Sequence, residues 1–460
     1  MTFTAFSASR RPRAGLALSA CLLGVVSAWA GAALAATGEA AEQAAAASVP
    51  IVASASAPAS AAAAATPSVD RPLPPGFILG ADVSTLEQVE RHGGRFSNED
   101  GRPASALQIL RVSGVDWVRL RLWHTPVNAE DVFEGDRRVS RRGDPVGGGD
   151  NDLARTIRLA RRARGQGLKW LLDLHYSDFW VDPSRQDKPA AWASLHGAEL
   201  EAAVQRYTRE VLTALHQAGC DPDMVQVGNE INGGLLWPDG QNWQRTPGEK
   251  VGGDAGFTAL LRAGIAGVRE TDALRGGRLP VVLHLANGGD NALYRRSFDL
   301  FERARLDYDV IGLSWYVYFH GPLTGLRANL EDLASRYHRP MLVVETAYAW
   351  TLDNGDDAPN VLNAERVAAS GYPASVSGQS ALLHDLIQTV AAVPGGLGVM
   401  WWEPAWLPVP GVGWRTGDGN GWDNQTLFDT SGRALPTLGV FQQQRAIRPA
   451  PPASTPPSAP

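Results

Sequence analysis

Two glutamates stand where the sequence could carry out acid–base or nucleophilic chemistry. Glu230 closely follows the apolar run Met224–Gly228, and Glu345 directly follows Met341–Val344. A carboxylate at the end of a buried strand is costly unless it is paired or hydrogen-bonded. Two such groups can cleave a glycosidic bond, one as acid and then base and the other as nucleophile, when they lie about 5–5.5 Å apart. We therefore expect Glu230 to be the acid/base and Glu345 the nucleophile.

Other polar residues also end apolar runs and could support this pair. Arg119 and Arg121 lie two apart on a predicted strand and share a face, so a cation beneath Glu345 would keep that carboxylate charged. Asn229 could hydrogen-bond a sugar 2-hydroxyl, an interaction that strengthens in the transition state. The remaining strand-end candidates are Asp82, Asp173, His175, His284, Asn287, Tyr316, Trp402 and Glu403.

Some of these candidates have a second interpretation. Asp82 and Asp173 suit ion pairing in the core as well as they suit a binding site. Trp402 and Glu403 are neighbours, so they point to opposite faces if the strand continues through them. We expect Trp402 to face the site as a platform under a sugar ring.

Short apolar runs alternate with amphipathic helical patterns along the chain. One helical stripe is Leu200, Val204, Tyr207, Val211 and Leu215, which recur at helix spacing. Strict alternation predicts a parallel sheet, and eight repeats favour an α/β fold of the closed (β/α)8 TIM-barrel type, with its active site at the carboxyl ends of the strands. The eight predicted strands are Phe77–Ala81, Trp117–Trp123, Leu168–Leu174, Met224–Gly228, Pro280–Leu285, Val310–Trp315, Met341–Val344 and Leu397–Trp402.

The two ends of the chain differ from the middle in composition. Residues 1–35 combine early arginines, an apolar run and an A-x-A site, and so predict an export signal peptide. Two alternatives are a membrane-spanning helix and a lipid anchor at Cys21. Residues 36–75 and 447–460 are rich in Ala, Ser and Pro and predict a disordered linker and tail. We expect a single catalytic domain over 76–446 in a periplasmic or secreted protein.

Composition argues against several classes of partner. The formal net charge is −6 with no basic cluster in the mature region, which argues against nucleic acid. With Cys21 in the signal, Cys220 has no intrachain partner for a disulfide. We expect a monomer without stable membrane insertion.

The motifs around the candidate residues resemble glycoside hydrolase family 53, the endo-β-1,4-galactanases. These motifs occur in the family's order over about residues 77–441. They are Gly80-Ala-Asp-Val-Ser84, Val118-Arg-Leu-Arg-Leu-Trp123, Asp173-Leu-His-Tyr-Ser-Asp-Phe-Trp180, Gly228-Asn-Glu-Ile-Asn-Gly-Gly-Leu-Leu-Trp-Pro238, Val343-Val-Glu-Thr346, Trp401-Trp-Glu-Pro-Ala-Trp406 and Asp423-Asn-Gln-Thr-Leu-Phe-Asp429.

The resemblance implies a retaining mechanism and the β-1,4-galactan side chains of pectin as polysaccharide substrate. It places the acid/base on Glu230 and the nucleophile on Glu345, with Tyr316 hydrogen-bonded to the nucleophile. Sugar platforms would be Trp180, Trp237 and Trp402. The full set of substrate-binding or supporting candidates is Asp82, Arg119, Arg121, His175, Asp178, Trp180, Asn229, Trp237, His284, Tyr316 and Trp402.

The resemblance also implies a structural calcium site in a loop after the seventh strand. Bacterial members carry an Asp-x-Asp-x-His-x-Asn loop, whereas this chain has Asn354 in place of the first Asp and Ala358 in place of the His. Alternating oxygen ligands suit calcium, although the same residues also suit a polar turn. The candidate ligands are Asn354, Asp356, Asn360, Asn420 and Asp423.

Two other functions stay open at this point. A β-mannanase or β-1,4-glucanase would share the fold and differ only in loops. A surface glycan-binding protein on a barrel of this kind would need neither Glu230 nor Glu345, so the presence of both favours an enzyme.

Overall fold

Eight parallel strands close into a barrel in the computed structural model, which describes residues 70–134 and 136–447. The barrel strands are β1 Ile78–Asp82, β2 Trp117–Leu122, β5 Lys169–Leu174, β6 Met224–Val227, β7 Val281–Leu285, β8 Val310–Ser314, β9 Met341–Thr346 and β10 Gly396–Trp402. Around the barrel the order is β1-β10-β9-β8-β7-β6-β5-β2, and every neighbouring pair is parallel. The predicted (β/α)8 barrel is thereby confirmed.

Helices connect the strands and form the outer layer. Several begin with a side-chain cap, as where Asp152 accepts a hydrogen bond from the backbone N–H of Arg155. The α-helices are α1 Leu86–Arg91, α2 Ala106–Val112, α3 Leu153–Gly165, α4 Gly197–Gln217, α5 Gly253–Arg269, α6 Asp272–Arg275, α7 Asn291–Arg303, α8 Val317–His320, α9 Leu323–Tyr337, α10 Ala364–Ser370, α11 Val376–Ala392 and α12 Gly439–Ala446. Short 3-10 turns occur at Ala190–Trp192, Asp423–Gln425 and Pro436–Leu438.

The barrel interior is filled by side chains rather than left open. One buried cluster draws residues from all eight barrel strands, including Ile78, Leu171, Val282, Leu342 and Met400. Layers of this kind pack the interior of such barrels. The polar residues that follow these apolar layers therefore lie together at the carboxyl end of the barrel.

Two features depart from the sequence-based expectation. A hairpin of β3 Val132–Glu134 and β4 Arg137–Ser140 lies in the connection after β2 and was not predicted. Residues 70–75 were assigned above to the linker, but this segment contacts the outer helical layer. The Arg71 N–H donates a hydrogen bond to the Gln388 side chain in α11 at 2.9 Å.

The predicted signal peptide, most of the linker, the tail after Ile447 and the Cys21 alternative lie outside the described residues. Within the described ranges, no helix has the length and apolar character that a membrane span requires.

Candidate active site

Glu345 lies near the end of β9 with both carboxylate oxygens in contact with polar groups. Its Oε1 is 2.7 Å from Arg119 Nη1, and its Oε2 accepts a hydrogen bond from the Tyr316 hydroxyl at 3.0 Å. The residue is buried at 6% exposure. A guanidinium at this distance in a buried site strongly favours the ionised form of the carboxyl group.

Arg119 itself is held by a ring of acceptors at the base of the site. Its side chain is fully buried and contacts Asp82 at 2.8 Å and Asp173 at 2.9 Å. It also donates to Asn229 Oδ1 at 2.9 Å. Burial opposes the charge of Arg119, but Asp173, Glu345 and Asp82 together raise its pKa. Asp82 and Asp173 are therefore ion-pair partners of Arg119, which is the core role considered above for both.

Glu230 follows β6 and receives a hydrogen bond from a serine. Ser314 Oγ donates to Glu230 Oε1 at 2.6 Å, and His284 Nε2 lies 2.8 Å from the same Ser314 oxygen. Since the Ser314 proton is engaged with Glu230, His284 Nε2 must donate to Ser314. His284 Nδ1 is then an acceptor, in agreement with the Glu230 backbone N–H at 3.3 Å.

The two glutamates lie in different electrostatic environments. Burial, followed by the negative charge of Glu345, raises the pKa of Glu230 well above its usual range. Burial also raises the pKa of Glu345, but Arg119 opposes that effect. No cation among the described residues contacts Glu230 as Arg119 contacts Glu345. The site thus favours the protonated form of Glu230, whereas Arg119 offsets the cost of a negative charge on Glu345. A double-displacement site needs one protonated and one ionised carboxyl group of this kind.

The histidines of the site are neutral. Burial lowers the pKa of His175 and lowers that of His284 well below its usual range. Trp123 Nε1 donates to His175 Nδ1 at 3.0 Å, which leaves His175 Nε2 to donate to Asp173 at 2.9 Å. These histidines therefore position their neighbours and do not add charge.

One groove brings the two glutamates together with aromatic side chains. Glu230 and Glu345 both line it. Trp402 packs against Trp422 at 4.7 Å between ring centroids, and Trp180 lies 6.0 Å from Trp402. The predicted residues that line this groove are Arg121, His175, Trp180, Asn229, Glu230, Asn287, Tyr316, Glu345 and Trp402.

Arg121 contacts the side of the groove that Trp180, Trp402 and Trp422 form, which is called the aromatic wall below. Its guanidinium lies 4.4 Å from the ring centroid of Trp180 and 5.5 Å from that of Trp402. It also pairs with Glu403 at 2.7 Å. Burial raises the pKa of Glu403 to about 7, although Arg121 opposes this. Glu403 is fully buried and does not line the groove, whereas Trp402 does.

Five of the predicted substrate-binding or supporting residues do not line the groove. Asp82, Arg119 and His284 lie beneath it in the contacts described above, and Asp178 and Trp237 have other roles. The Asp178 carboxylate accepts backbone N–H groups of Thr125 and Ala190, both at 2.8 Å, so it fixes two loops. Trp237 is buried at 7% exposure and donates to the Gly233 carbonyl oxygen at 3.1 Å.

Four non-glycine residues adopt left-handed backbone conformations just after barrel strands. Their φ angles are 54° at Tyr176, 46° at Glu230, 59° at Asn287 and 50° at Glu403. Such conformations are costly for residues with a Cβ and tend to cluster at functional sites. Here they turn the chain sharply where the strands open onto the groove.

Several groove residues were missed by the reasoning from sequence. Ser314 ends a strand, but a lone serine there carries no signal of its own. The tryptophans of the last connection could have been found from the density of Trp between residues 401 and 422. The missed groove residues include Val181, Asp182, Pro183, Ser184, Ala286, Phe319, His320, Val361, Trp414 and Trp422.

The predicted calcium ligands lie together between the β9 and β10 connections. Asp356 Oδ2 accepts the Asn420 N–H at 2.7 Å, and Asp423 Oδ2 accepts the Gly355 N–H at 2.7 Å. Asp423 Oδ1 and Asn360 Oδ1 are buried and have no hydrogen-bond partner within the described part of the chain, as oxygen atoms that bind a cation would be.

The charge at this loop is nevertheless low. Asp356 and Asp423 are the acidic members, and nowhere in the described ranges do three or more His, Cys, Asp or Glu side chains gather as a metal cluster. Burial raises the pKa of Asp423 to about 6, and Asp356 adds to this. The donor set therefore fits a hard cation such as calcium through its two free oxygens, with less charge than three carboxylates would supply.

Comparisons with known proteins agree with this geometry. The family described as Glycosyl hydrolase family 53 matches residues 78–441. An arabinogalactan endo-β-1,4-galactanase of Cellvibrio japonicus is 36% identical over 80% of this chain and 90% of its own length. An endo-β-1,4-galactanase of Bacillus subtilis is 34% identical over 80% of this chain and 85% of its own.

A solved structure extends the likeness to the fold. The GH53 catalytic domain of Ignisphaera aggregans superposes with a TM-score of 0.72 at 39% identity, covering 82% of this chain and 99% of that one. The match thus spans the whole barrel, including both glutamates. This chain belongs to glycosyl hydrolase family 53.

Proposed function

We propose that this glycosidase is a retaining endo-β-1,4-galactanase, with Glu230 as acid/base and Glu345 as nucleophile. The observation that carries the proposal is the unequal setting of the two carboxyl groups in one groove. In the described structure, Glu345 has Arg119 at 2.7 Å, whereas the Glu230 carboxyl group accepts its hydrogen bond from the neutral Ser314 hydroxyl and burial raises its pKa well above the usual range. The names of the relatives supply the galactan substrate.

The chemistry follows from these settings. The Glu345 carboxylate attacks the anomeric carbon while Glu230 gives its proton to the leaving glycosidic oxygen, so one C–O bond forms and one breaks. A water molecule then loses its proton to the Glu230 carboxylate and attacks the same carbon, which frees Glu345. Tyr316 and Arg119 hold Glu345 in place for both steps.

The substrate is tested by reducing-sugar release from potato galactan, mannan and carboxymethyl-cellulose. We expect release from galactan alone. Cleavage of mannan or the cellulose derivative with galactan left intact would replace the galactanase proposal with another β-1,4-polysaccharide hydrolase.

The two roles are tested by substitution. Glu230→Gln and Glu345→Gln should each lower kcat at least about 10³-fold, which corresponds to about 4 kcal/mol of transition-state stabilisation. With an activated aryl galactoside, azide should rescue Glu345→Gly to an α-galactosyl azide and Glu230→Ala to a β-galactosyl azide. If Glu345→Gly gave the β-galactosyl azide and Glu230→Ala gave the α-galactosyl azide, the two roles would have to be exchanged.

We also propose that a calcium ion binds the loop at Asn354–Asn360. Two buried oxygen atoms support this, Asp423 Oδ1 and Asn360 Oδ1, for which no described residue supplies a hydrogen bond. Asp356, Asn354 and Asn420 would complete the ligands. The ion would hold this loop against the connection after β10, which carries the groove residues Trp414 and Trp422, and would take no part in bond cleavage.

A further inference from the structure

Trp243 is a large aromatic residue exposed on the connection after β6. Its side chain is 41% exposed, although large aromatic residues usually bury most of their surface. Neither the catalytic pair nor the proposed calcium loop uses it. An exposed tryptophan beside a groove that takes a polysaccharide is a candidate surface for a sugar ring.

The ring is held by its neighbours in a defined orientation. Trp237 packs edge-to-face against it, with centroids 5.6 Å apart and planes at 80°. The Arg245 guanidinium lies 5.9 Å from the Trp243 centroid and 5.2 Å from that of Trp237. A platform fixed before binding loses little entropy when a ligand stacks on it.

Trp243 also contacts the segment that carries the acid/base. The Asn242 N–H donates to the Gly233 carbonyl oxygen at 3.2 Å, and Gly233 is three residues after Glu230. A Cβ on Gly233 would lie 2.7 Å from Trp243 Nε1, so the absence of a side chain there lets the indole pack against the chain. Three residues span at most about 10 Å, which places Trp243 close to the Glu230 end of the groove.

The connection after β5 continues the groove wall on the same side. Asp182 and Ser184 of this connection line the groove beside Glu230. The connection then pairs with Trp237 through a bridge from Asp187, and the Trp237 N–H donates to the Gln186 carbonyl oxygen at 2.7 Å. Trp237 and Trp243 thus lie outside the groove lining, next to the two segments that border the groove at Glu230.

We propose that Trp243 is a distal platform for the leaving-group portion of the substrate, several sugars from the bond that is cut. This rests on the proposed function, because the acid/base protonates the leaving-group oxygen and so marks that end of the groove. The occupant is a galactosyl unit of a polymeric β-1,4-linked chain, whose apolar C–H face would stack on the indole. Short substrates would not reach it.

Trp243→Ala tests the platform by comparing a long and a short substrate. We expect kcat/KM on polymeric galactan to fall about 3- to 10-fold, the range for one aromatic contact. The fall should be clearly smaller on p-nitrophenyl β-1,4-galactobioside, whose leaving group carries no further sugar. Trp243→Phe should recover most of the loss. Leu274→Ala, which shortens another exposed side chain (48%), is the matched control.

Affinity electrophoresis separates failure of this proposal from failure of the proposed function. In a Glu345→Gln background, which prevents hydrolysis, adding Trp243→Ala should reduce retardation by galactan. If mannan rather than galactan retards the protein, the galactan assignment is wrong. The effect of Trp243→Ala on retardation by mannan then still tests the platform.

Two outcomes would overturn the platform. One is equal retardation with and without Trp243 in every polysaccharide. The other is an equal loss of kcat/KM on the polymer and the aryl glycoside, because Trp243 would then act by supporting the Glu230 segment.

Discussion

At the scale of single residues, the protonation state of Glu230 depends first on burial and then on its polar and charged neighbours. Ser314 stabilises the ionised form of Glu230 by donating a hydrogen bond, whereas Asp182 and Glu345 destabilise it by charge. The alkaline limb of the kcat/KM profile reports the loss of the acid's proton in the free enzyme. The neighbours of Glu230 should therefore move this limb in opposite directions.

Ser314→Ala should move the alkaline limb to higher pH. Removing the 2.6 Å hydrogen bond takes away a contact that favours the carboxylate, so Glu230 keeps its proton longer. The acid limb, set by Glu345, should stay in place. The measurement is kcat/KM against pH on an aryl galactobioside, with Ser380→Ala, which removes a helix hydroxyl bonded to Val376, as control. A limb moved to lower pH would contradict the assignment of Glu230 as the acid.

Asp182→Asn should move the same limb to lower pH. Asp182 lines the groove and its charge raises the pKa of Glu230. Burial raises the pKa of Asp182 as well, but the effect appears where Asp182 is ionised, which is the alkaline side of the profile. The same pH series measures it, and Asp187→Asn, on an exposed neighbouring residue, removes a charge without facing the groove. An alkaline limb that stays at the wild-type position would show that Asp182 does not influence the acid.

At the scale of elements, Arg121 ties β2 to the aromatic wall and to the end of β10. Arg121→Ala would leave Glu403 buried without its cation, and breaking a buried pair in this way costs about 3–5 kcal/mol. The loss should be largest above pH 7 and smaller at lower pH. The reason is that burial raises the pKa of Glu403 to about 7, and the protonated group needs no cation.

Urea unfolding at pH 5 and pH 8 measures this dependence. Arg138→Ala, which removes a surface pair with Asp131 at 2.9 Å, should leave the midpoint unchanged at both pH values. An Arg121→Ala midpoint equal to wild type at pH 8 would show that the pair does not stabilise the fold.

The barrel elements could be predicted from the sequence because buried parallel strands are short, apolar and regularly alternated with helices. Each of the eight predicted runs overlaps an observed strand, and their ends bring Arg119, Asn229 and Tyr316 to the glutamates. The hairpin β3–β4 could not be predicted, since its exposed residues lack a buried face. The role of Ser314 depends on which strands neighbour one another, and that information lies in the closed barrel rather than in the local sequence.

At the scale of the whole molecule, calcium would link the β9 and β10 connections. A ligand that binds only the folded state stabilises it by about 2.7 kcal/mol at 100 times its Kd. At pH 8 we therefore expect a chelator to lower the Tm by a few degrees and added calcium to restore it. Asp423→Asn should abolish the response, while Glu365→Gln, which removes one exposed charge on α10, should retain it.

The calcium response should also weaken on acidification. In the free loop the pKa of Asp423 is raised to about 6, above its ordinary value, so without metal the contribution of Asp423 favours folding at low pH and is lost as pH rises through about 6. Calcium requires the ionised carboxylate, so the stability it adds is present above about pH 6 and falls below it. The difference in Tm between calcium and chelator should consequently be larger at pH 8 than at pH 5. If neither chelator nor calcium changes the Tm at pH 8, the calcium proposal is wrong. Hydrogen bonds alone, such as that from the Asn420 N–H to Asp356, would then hold this loop.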